Sequence, residues 1–485
     1  MRKEDRAMRS PAGIVGKGTI RSLGVVAALL AALVLGASAG VERPAFLEPP
    51  DHVMLRPRGS LSGFGNPLLM APDDLAVFST GQETFIEVES LPQLGPLFNS
   101  RSCATCHFQP ALGGSGSFIN EIRIRNNTRP GPLQIFASDN ILRLGPQTQG
   151  GQPFFQNGVE ASPLGCQITS AGCNLSPCQL ELMAQTGWSP GLPICDPTSA
   201  DFASGHNCSA ERQATPLFGF GLVEAISDHT FIEIAAHQPA ALRGVVKQVT
   251  EFGAVRVARF GWKDDVATLR GFSGDAYLNE VGISNPDFPN DRSTCALNKT
   301  LSGVLLDADD DPEDQPDAEG RADVDRFVDF MRGLDAPPTL PQSTDARAGQ
   351  GLFAAIGCGG CHVASIRTSF NPAAFVPPTT GGVPLSPTLN FVLRNRTIHP
   401  YSDFLLHDMG SLGDGITSGA AGPMMMRTAP LWGVRAKSRL LHDGRAEDIA
   451  GAIQFHAGQA AASRDAFLGL TPAQQQQVLD FLGTI

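Results

Sequence analysis

The sequence predicts a mainly α-helical molecule of two related halves, the first enlarged by a long, loop-rich, disulfide-stapled insertion. Three observations carry that expectation. A Cys-x-x-Cys-His pentapeptide occurs once in each half, at Cys103–His107 and at Cys358–His362. An amphipathic segment closes each half, at Gly320–Leu334 and at Thr471–Leu482. Five of the other six cysteines crowd between Cys166 and Cys208, in the first half only, among Gly, Pro, Ser and Asn.

Composition sets the frame. A chain of 485 residues is long enough for two or three domains. With 53 Gly and 37 Pro it is rich in loops, so an extended helical bundle is excluded. The net charge of -12 excludes a nucleic-acid binder, because no basic surplus exists to neutralise phosphates.

Residues 1–39 read as a secretory signal. Arg2, Lys3, Arg6, Arg9, Lys17 and Arg21 form a basic region, Leu23 to Leu35 is apolar, and Ala37-Ser38-Ala39 suits a signal peptidase. The apolar run is shorter than the roughly 20 residues that span a bilayer. Cleavage removes six basic and two acidic residues, taking the charge from -12 to -16. The expected product is acidic, periplasmic and free of an integral membrane anchor.

The two pentapeptides carry the chemistry. Cys103 with Cys106, and Cys358 with Cys361, have the spacing that forms thioethers to the two vinyl groups of one haem. His107 and His362 then sit directly beneath the iron as proximal ligands. Two such sites in an exported chain point to two covalently bound haems c. A zinc site would require the pairs to meet and would leave the histidines without a purpose. Cys166, Cys173, Cys178, Cys195, Cys208 and Cys295 are expected to form disulfides, whose connectivity the sequence leaves open.

Helices should flank each haem turn. Asp345–Ile356 delivers the chain to the second turn, and Gly81–Asn99 is a looser version before the first. Thr471 and Pro472 open the last helix. Asp335–Ser343 is a proline-rich linker, so the expected domains are cytochrome c-like units at 40–335, with an insertion at about 110–300, and at 344–485. The acidic run Asp307–Glu319 admits a calcium loop, but lacks the EF-hand glycine and closing Glu spacing, which favours a solvated loop.

Further motifs carry a family resemblance. Arg427-Thr-Ala-Pro430-Leu431-Trp432-Gly433 and Leu441-His442-Asp443-Gly444-Arg445 resemble the C-terminal signature of bacterial di-haem cytochrome c peroxidases. Gly95–Asn99, Ser102–His107 and Leu405–Gly410 look closer to a related branch, the di-haem oxidoreductases of peroxidase or thiol-oxidoreductase type. The resemblance implies two facing cytochrome c-like domains. One haem takes electrons from a small redox donor, a cytochrome c or a cupredoxin, and the other meets a small oxidant such as peroxide. It also implies a Trp between the haems and a distal Glu, for which Trp262 and Glu280 are the candidates, although Trp262-Lys-Asp-Asp265 replaces the usual W-D-G-R. Both also read as a core aromatic and a surface carboxylate. Met409, within the Leu405–Gly410 motif, is the expected sixth ligand of the C-terminal haem. His399, His407, Met424, Met425, Met426, His442 and His456 are the other candidates, and the three consecutive methionines read more readily as loop or core filler, only one of which could face the iron. No His lies between His107 and His206, which leaves the N-terminal haem as the reactive one. A pure electron-transfer cytochrome and a haem oxidase acting on a partner protein are the alternatives.

Overall fold

Two pairs of crossed helices hold the frame of the computed structural model, which describes residues 63–89, 102–116, 120–125, 194–206, 208–281, 283–289, 300–301, 304–305 and 315–485. The signal segment, Gly95–Asn99, Cys166, Cys173, Cys178, Cys295 and residues 307–314 lie outside them. All described residues belong to one compact unit.

Helix α1 (Pro72–Ile86) starts with Pro at its first position and Asp73 and Asp74 in its first turn, the charge that a helix N-terminus favours. It buries Phe78, Gly81 and Phe85. Helix α2 (Leu269–Ala276) is capped by Thr268, whose side chain accepts from the Gly271 amide, and runs into a π-helical turn, Tyr277–Val281. Helix α3 (Asp323–Gly333) turns Val324, Phe327, Val328, Phe330 and Met331 inward. Helix α4 (Thr344–Ala355) is capped by Ser343 and buries Ala346, Gly349 and Phe353. Helix α5 (Pro472–Leu482) opens on a Thr471–Gln474 capping box and buries Val478, Phe481 and Leu482.

The pairs α1 with α3 and α4 with α5 are built alike. A Cβ at Gly81 would lie 2.3 Å from the Arg326 carbonyl oxygen, and one at Gly349 would lie 1.8 Å from that of Gln477. Each crossing therefore needs a glycine, because only a residue without a side chain lets the backbones approach so closely. Four residues after each glycine comes an aromatic, Phe85 or Phe353. Phe85 meets Phe330 at 4.7 Å between ring centroids, and Phe353 meets Phe481 at 5.4 Å. Such pairs add about 0.5–1.5 kcal/mol beyond the area they bury.

Small antiparallel ribbons complete the architecture, so the fold is mixed helical with small sheets rather than helical throughout. Strand β1 (Asn120–Arg125) pairs with β2 (Cys208–Gln213), β3 (Gln248–Glu251) with β4 (Ala254–Val257), and β5 (Leu406–Asp408) with β6 (Met425–Arg427). Every described sheet has two strands, short pairings that fix long loops against the helical frame. Cys195 and Cys208 form a disulfide, buried beside Ile416 and half-buried Phe202. That much of the expected stapling is present among the described residues. No described helix is long and apolar enough to cross a membrane.

Candidate functional site

Both C-x-x-C-H segments fold as the same 3-10 turn. The Cys103 carbonyl accepts from the amides of Cys106 and His107, and the Cys358 carbonyl from those of Cys361 and His362. All four motif cysteines are thiols rather than disulfides. The His107 Nδ1 lies 3.2 Å from the Gly114 carbonyl oxygen, and the His362 Nδ1 lies 2.9 Å from that of Tyr401. A carbonyl can only accept, so each Nδ1 carries the proton and each Nε2 the lone pair, the arrangement that prepares an imidazole for metal. Phe85 packs on His107 and Phe353 on His362, at 6.1 and 6.2 Å between centroids. Burial pushes His362 down to about 4, so its ring stays neutral.

A cavity opens on each turn. The one beside Cys103, Cys106 and His107 has an empty volume of about 500 Å³, walled by Phe85, Leu217, Phe272, Tyr277, Phe327 and Met331. Glu280, from the π-helical turn, is the one carboxylate in its wall among the described residues, and no described Lys or Arg lines it. Burial pushes the Cys103 thiol well above its usual range, and the charges of Glu280 and Glu89 push it further.

The cavity beside Cys358, Cys361 and His362 is larger, about 1370 Å³ with its open mouth. Leu242, Phe353, Leu431, Val434, Ile453 and Leu482 supply apolar wall. Here the charged lining is reversed: Arg427, Lys437 and Arg464 face it, and among the described residues no Asp or Glu does. Burial pushes the Cys358 thiol up to about 11. Pockets that hold small molecules and cofactors span roughly 300–1,000 Å³. Both sites fit haem: paired thiols, an oriented imidazole and an apolar volume that the thiols and the imidazole line.

Met409 and Trp262 line the larger cavity. So does Met426, buried on β6 opposite His407 of β5, a residue that reading Met424–Met426 as loop or core filler passes over. Its place directly before the Arg427–Gly433 motif is the signal that marks it. His407, in the Leu405–Gly410 motif, holds Asp403 through Nε2 at 2.9 Å and approaches the Cys361 sulfur through Nδ1 at 3.5 Å. Burial is the largest single influence and opposes its charge, but the hydrogen bonds and charges of Asp403 and Cys361 together outweigh it and hold the imidazole up to about 10. The three ligand atoms of Cys361, Asp403 and His407 converge closely enough to hold a metal ion, although Cys361 belongs to the haem turn.

Trp262 lines the larger cavity and not, among the described residues, the smaller one. Its indole N–H donates to the Gln213 carbonyl at 2.8 Å. Two residues earlier, Phe260 packs 6.0 Å from Phe272, which lines the smaller cavity. The departure at Lys263–Asp265 forms a buried ionic knot. Lys263 Nζ lies 2.8 Å from Asp414, which Arg212 also meets at 2.6 Å. Lys247 Nζ lies 2.9 Å from Asp265, whose carboxylate also accepts from Ser418. These bonds fasten the 414–423 loop beneath Trp262, and breaking a buried pair leaves a charge uncompensated.

A search among curated proteins finds no relative. Among solved structures the chain is similar to hydrazine synthase from Kuenenia stuttgartiensis, at 11% identity over 69% of this chain and 89% of that one, with a TM-score of 0.26. A likeness that faint carries no argument here. The family profile described as "Di-haem oxidoreductase, putative peroxidase" matches residues 205–485, including the Cys358–His362 turn, while Cys103–His107 precedes the match. With more than half of its length matched, the chain belongs to the di-haem oxidoreductase family.

Proposed function

We propose that this protein is an exported di-haem c-type oxidoreductase of peroxidase type, passing electrons from a small redox protein to peroxide. The observation that supports it is the pairing of two C-x-x-C-H turns with two cavities of opposite charge. Cys103 and Cys106 would hold one haem and Cys358 and Cys361 the other, with His107 and His362 as proximal ligands. Bound haem would supply one-electron chemistry and an iron able to bind a small oxidant.

The chain's own residues divide the work. Around Cys358 the cations favour electron gain, and a methionine, Met409 or Met426, would close the iron and raise its potential. That site is the electron entry. Trp262 and the Phe260–Phe272 contact supply an aromatic path from one cavity wall to the other. In the smaller cavity Glu280 would take a proton from one peroxide oxygen and return it to the other. The apolar rings around it, Phe85, Phe272, Tyr277 and Phe327, would keep bulk water from the site.

One observation favours the electron-transfer alternative: Met331 also lines the smaller cavity and could ligate its iron. The repeat argues against it. Met331 follows Phe330 as Leu482 follows Phe481, and Leu482 lines the larger cavity as plain apolar wall. Haem counting tests the proposal. The pyridine haemochrome assay should find two haems per chain, and one after Cys103 and Cys106, or Cys358 and Cys361, are changed to Ala. A wild-type chain with a single haem would sink the reading. A resting spectrum without high-spin bands that gains them in Met331→Leu would give the protein to the electron-transfer class.

A further inference from the structure

We infer that Lys437 receives a propionate carboxylate of the haem held by Cys358 and Cys361, an inference that rests on the haem reading above. The three cations facing that cavity differ in what else they touch. Arg427 donates through Nε to the Gly261 carbonyl at 2.7 Å and lies 3.6 Å from Asp264. Arg464 donates to Asp465 at 2.8 Å and to the His456 carbonyl at 2.8 Å. Lys437 bonds only through its backbone amide, to the Val434 carbonyl at 3.2 Å. Among the described residues its ammonium has neither a hydrogen-bond acceptor nor a carboxylate.

That is a costly arrangement for a lysine. Lys437 is half-buried in that wall, so its ammonium gives up part of its hydration, and no described anion beside it offsets the loss. Burial pushes the amine down to about 8, and nearby Arg427 pushes it the same way. Among the described residues no Asp or Glu lines the cavity to relieve it. The missing charge must therefore come with the occupant. A haem attached to this turn brings an apolar ring that suits the wall and two carboxylates that suit the cations. Arg427 and Arg464 already have protein partners, which leaves Lys437 as the cation whose pairing depends on the haem. Among the described residues no Lys or Arg lines the smaller cavity, so the assignment is made for the haem at Cys358 and Cys361.

Pairing a cation with a propionate favours the reduced iron, because the ferric form carries one more positive charge beside it. The full-length holoprotein provides the test. In Lys437→Met the pyridine haemochrome count should stay at two, since thioethers retain the haem. Spectroelectrochemistry should show the potential of one haem falling and the other unmoved. Lys437→Arg should hold the wild-type potential, which a merely structural role for the side chain would not explain. Two haems with both potentials unmoved in Lys437→Met would overturn the inference and leave the haem reading intact. A wild-type chain lacking haem at Cys358 and Cys361 would overturn both. Should the Met variant fail to accumulate, amine acetylation of folded wild-type protein needs no variant. Lys437 is expected to resist it, and modification there without a change in either potential would overturn the assignment equally.

Discussion

The turn at Cys103 and the turn at Cys358 stand on the same helical frame, yet their cavities differ in size and in the sign of their charge. Gly81 and Gly349 permit the two crossings, Phe85 and Phe353 brace the two histidines, and Phe330 and Phe481 close the two aromatic clusters. What diverges is the wall. Among the described residues the larger cavity gathers Arg427, Lys437 and Arg464, while the smaller gathers Glu280. A duplicated frame can thus hold two chemically similar groups while the lining residues give them different tasks. A cationic wall favours taking up an electron, and a carboxylate beside a small cavity suits proton transfer.

The sharpest way to break this comparison is to remove the carboxylate. Glu280→Gln keeps the shape and removes the base, so peroxidase turnover should fall by roughly 100- to 10,000-fold, with the haem count unchanged. Turnover unaffected by the substitution would retain the enzyme and dismiss Glu280.

The next test asks whether the two frames are equivalent energetically. Phe85→Ala and Phe353→Ala should each cost about 3–5 kcal/mol in denaturant unfolding, because each leaves a hole against a histidine and a second aromatic. A cost confined to one half would show that the resemblance is geometric only.

A smaller effect separates the frames by pH. Asp329 lies just before Phe330, 2.7 Å from Arg321, and burial outweighs that arginine and pushes the carboxyl from 3.8 up to about 6. Its folded value lies above its unfolded one. The stability it contributes is therefore fully present below about 3.8 and is lost as pH rises through about 6. Asp329→Asn should flatten that part of the stability profile by about 1–3 kcal/mol, read from urea midpoints across the window. An unchanged profile would assign the slope to other groups.

Much of the frame was legible in the sequence because its signals are local. Ser343 and Thr471 cap helices within the same turn, Pro472 suits a first helical position, and the apolar spacing of α3 marks its buried face. The C-x-x-C-H turns need only five residues to close. Glu280 and Met409 were reached by resemblance, and each lines the cavity beside the turn to which it was assigned. The carbonyls of Gly114 and Tyr401 that fix the two histidines carry no residue-type signal, since any backbone could supply them. Met426 was passed over because three consecutive methionines look like filler until β6 pairs with β5 and buries one of them.

The sequence by itself determined the two C-x-x-C-H turns, the helix that leads into the second and the helix that closes each half, all of which depend on neighbours a few residues apart. Only the tertiary structure decided which charges face which cavity. Arg427, Lys437 and Arg464 share a wall with a turn at Cys358 because loops fold back across the helices. Lys263 meets Asp414 and Arg212 across still longer stretches of chain. Electrostatic character is a property of distances in space, and a sequence records the charges without recording those distances.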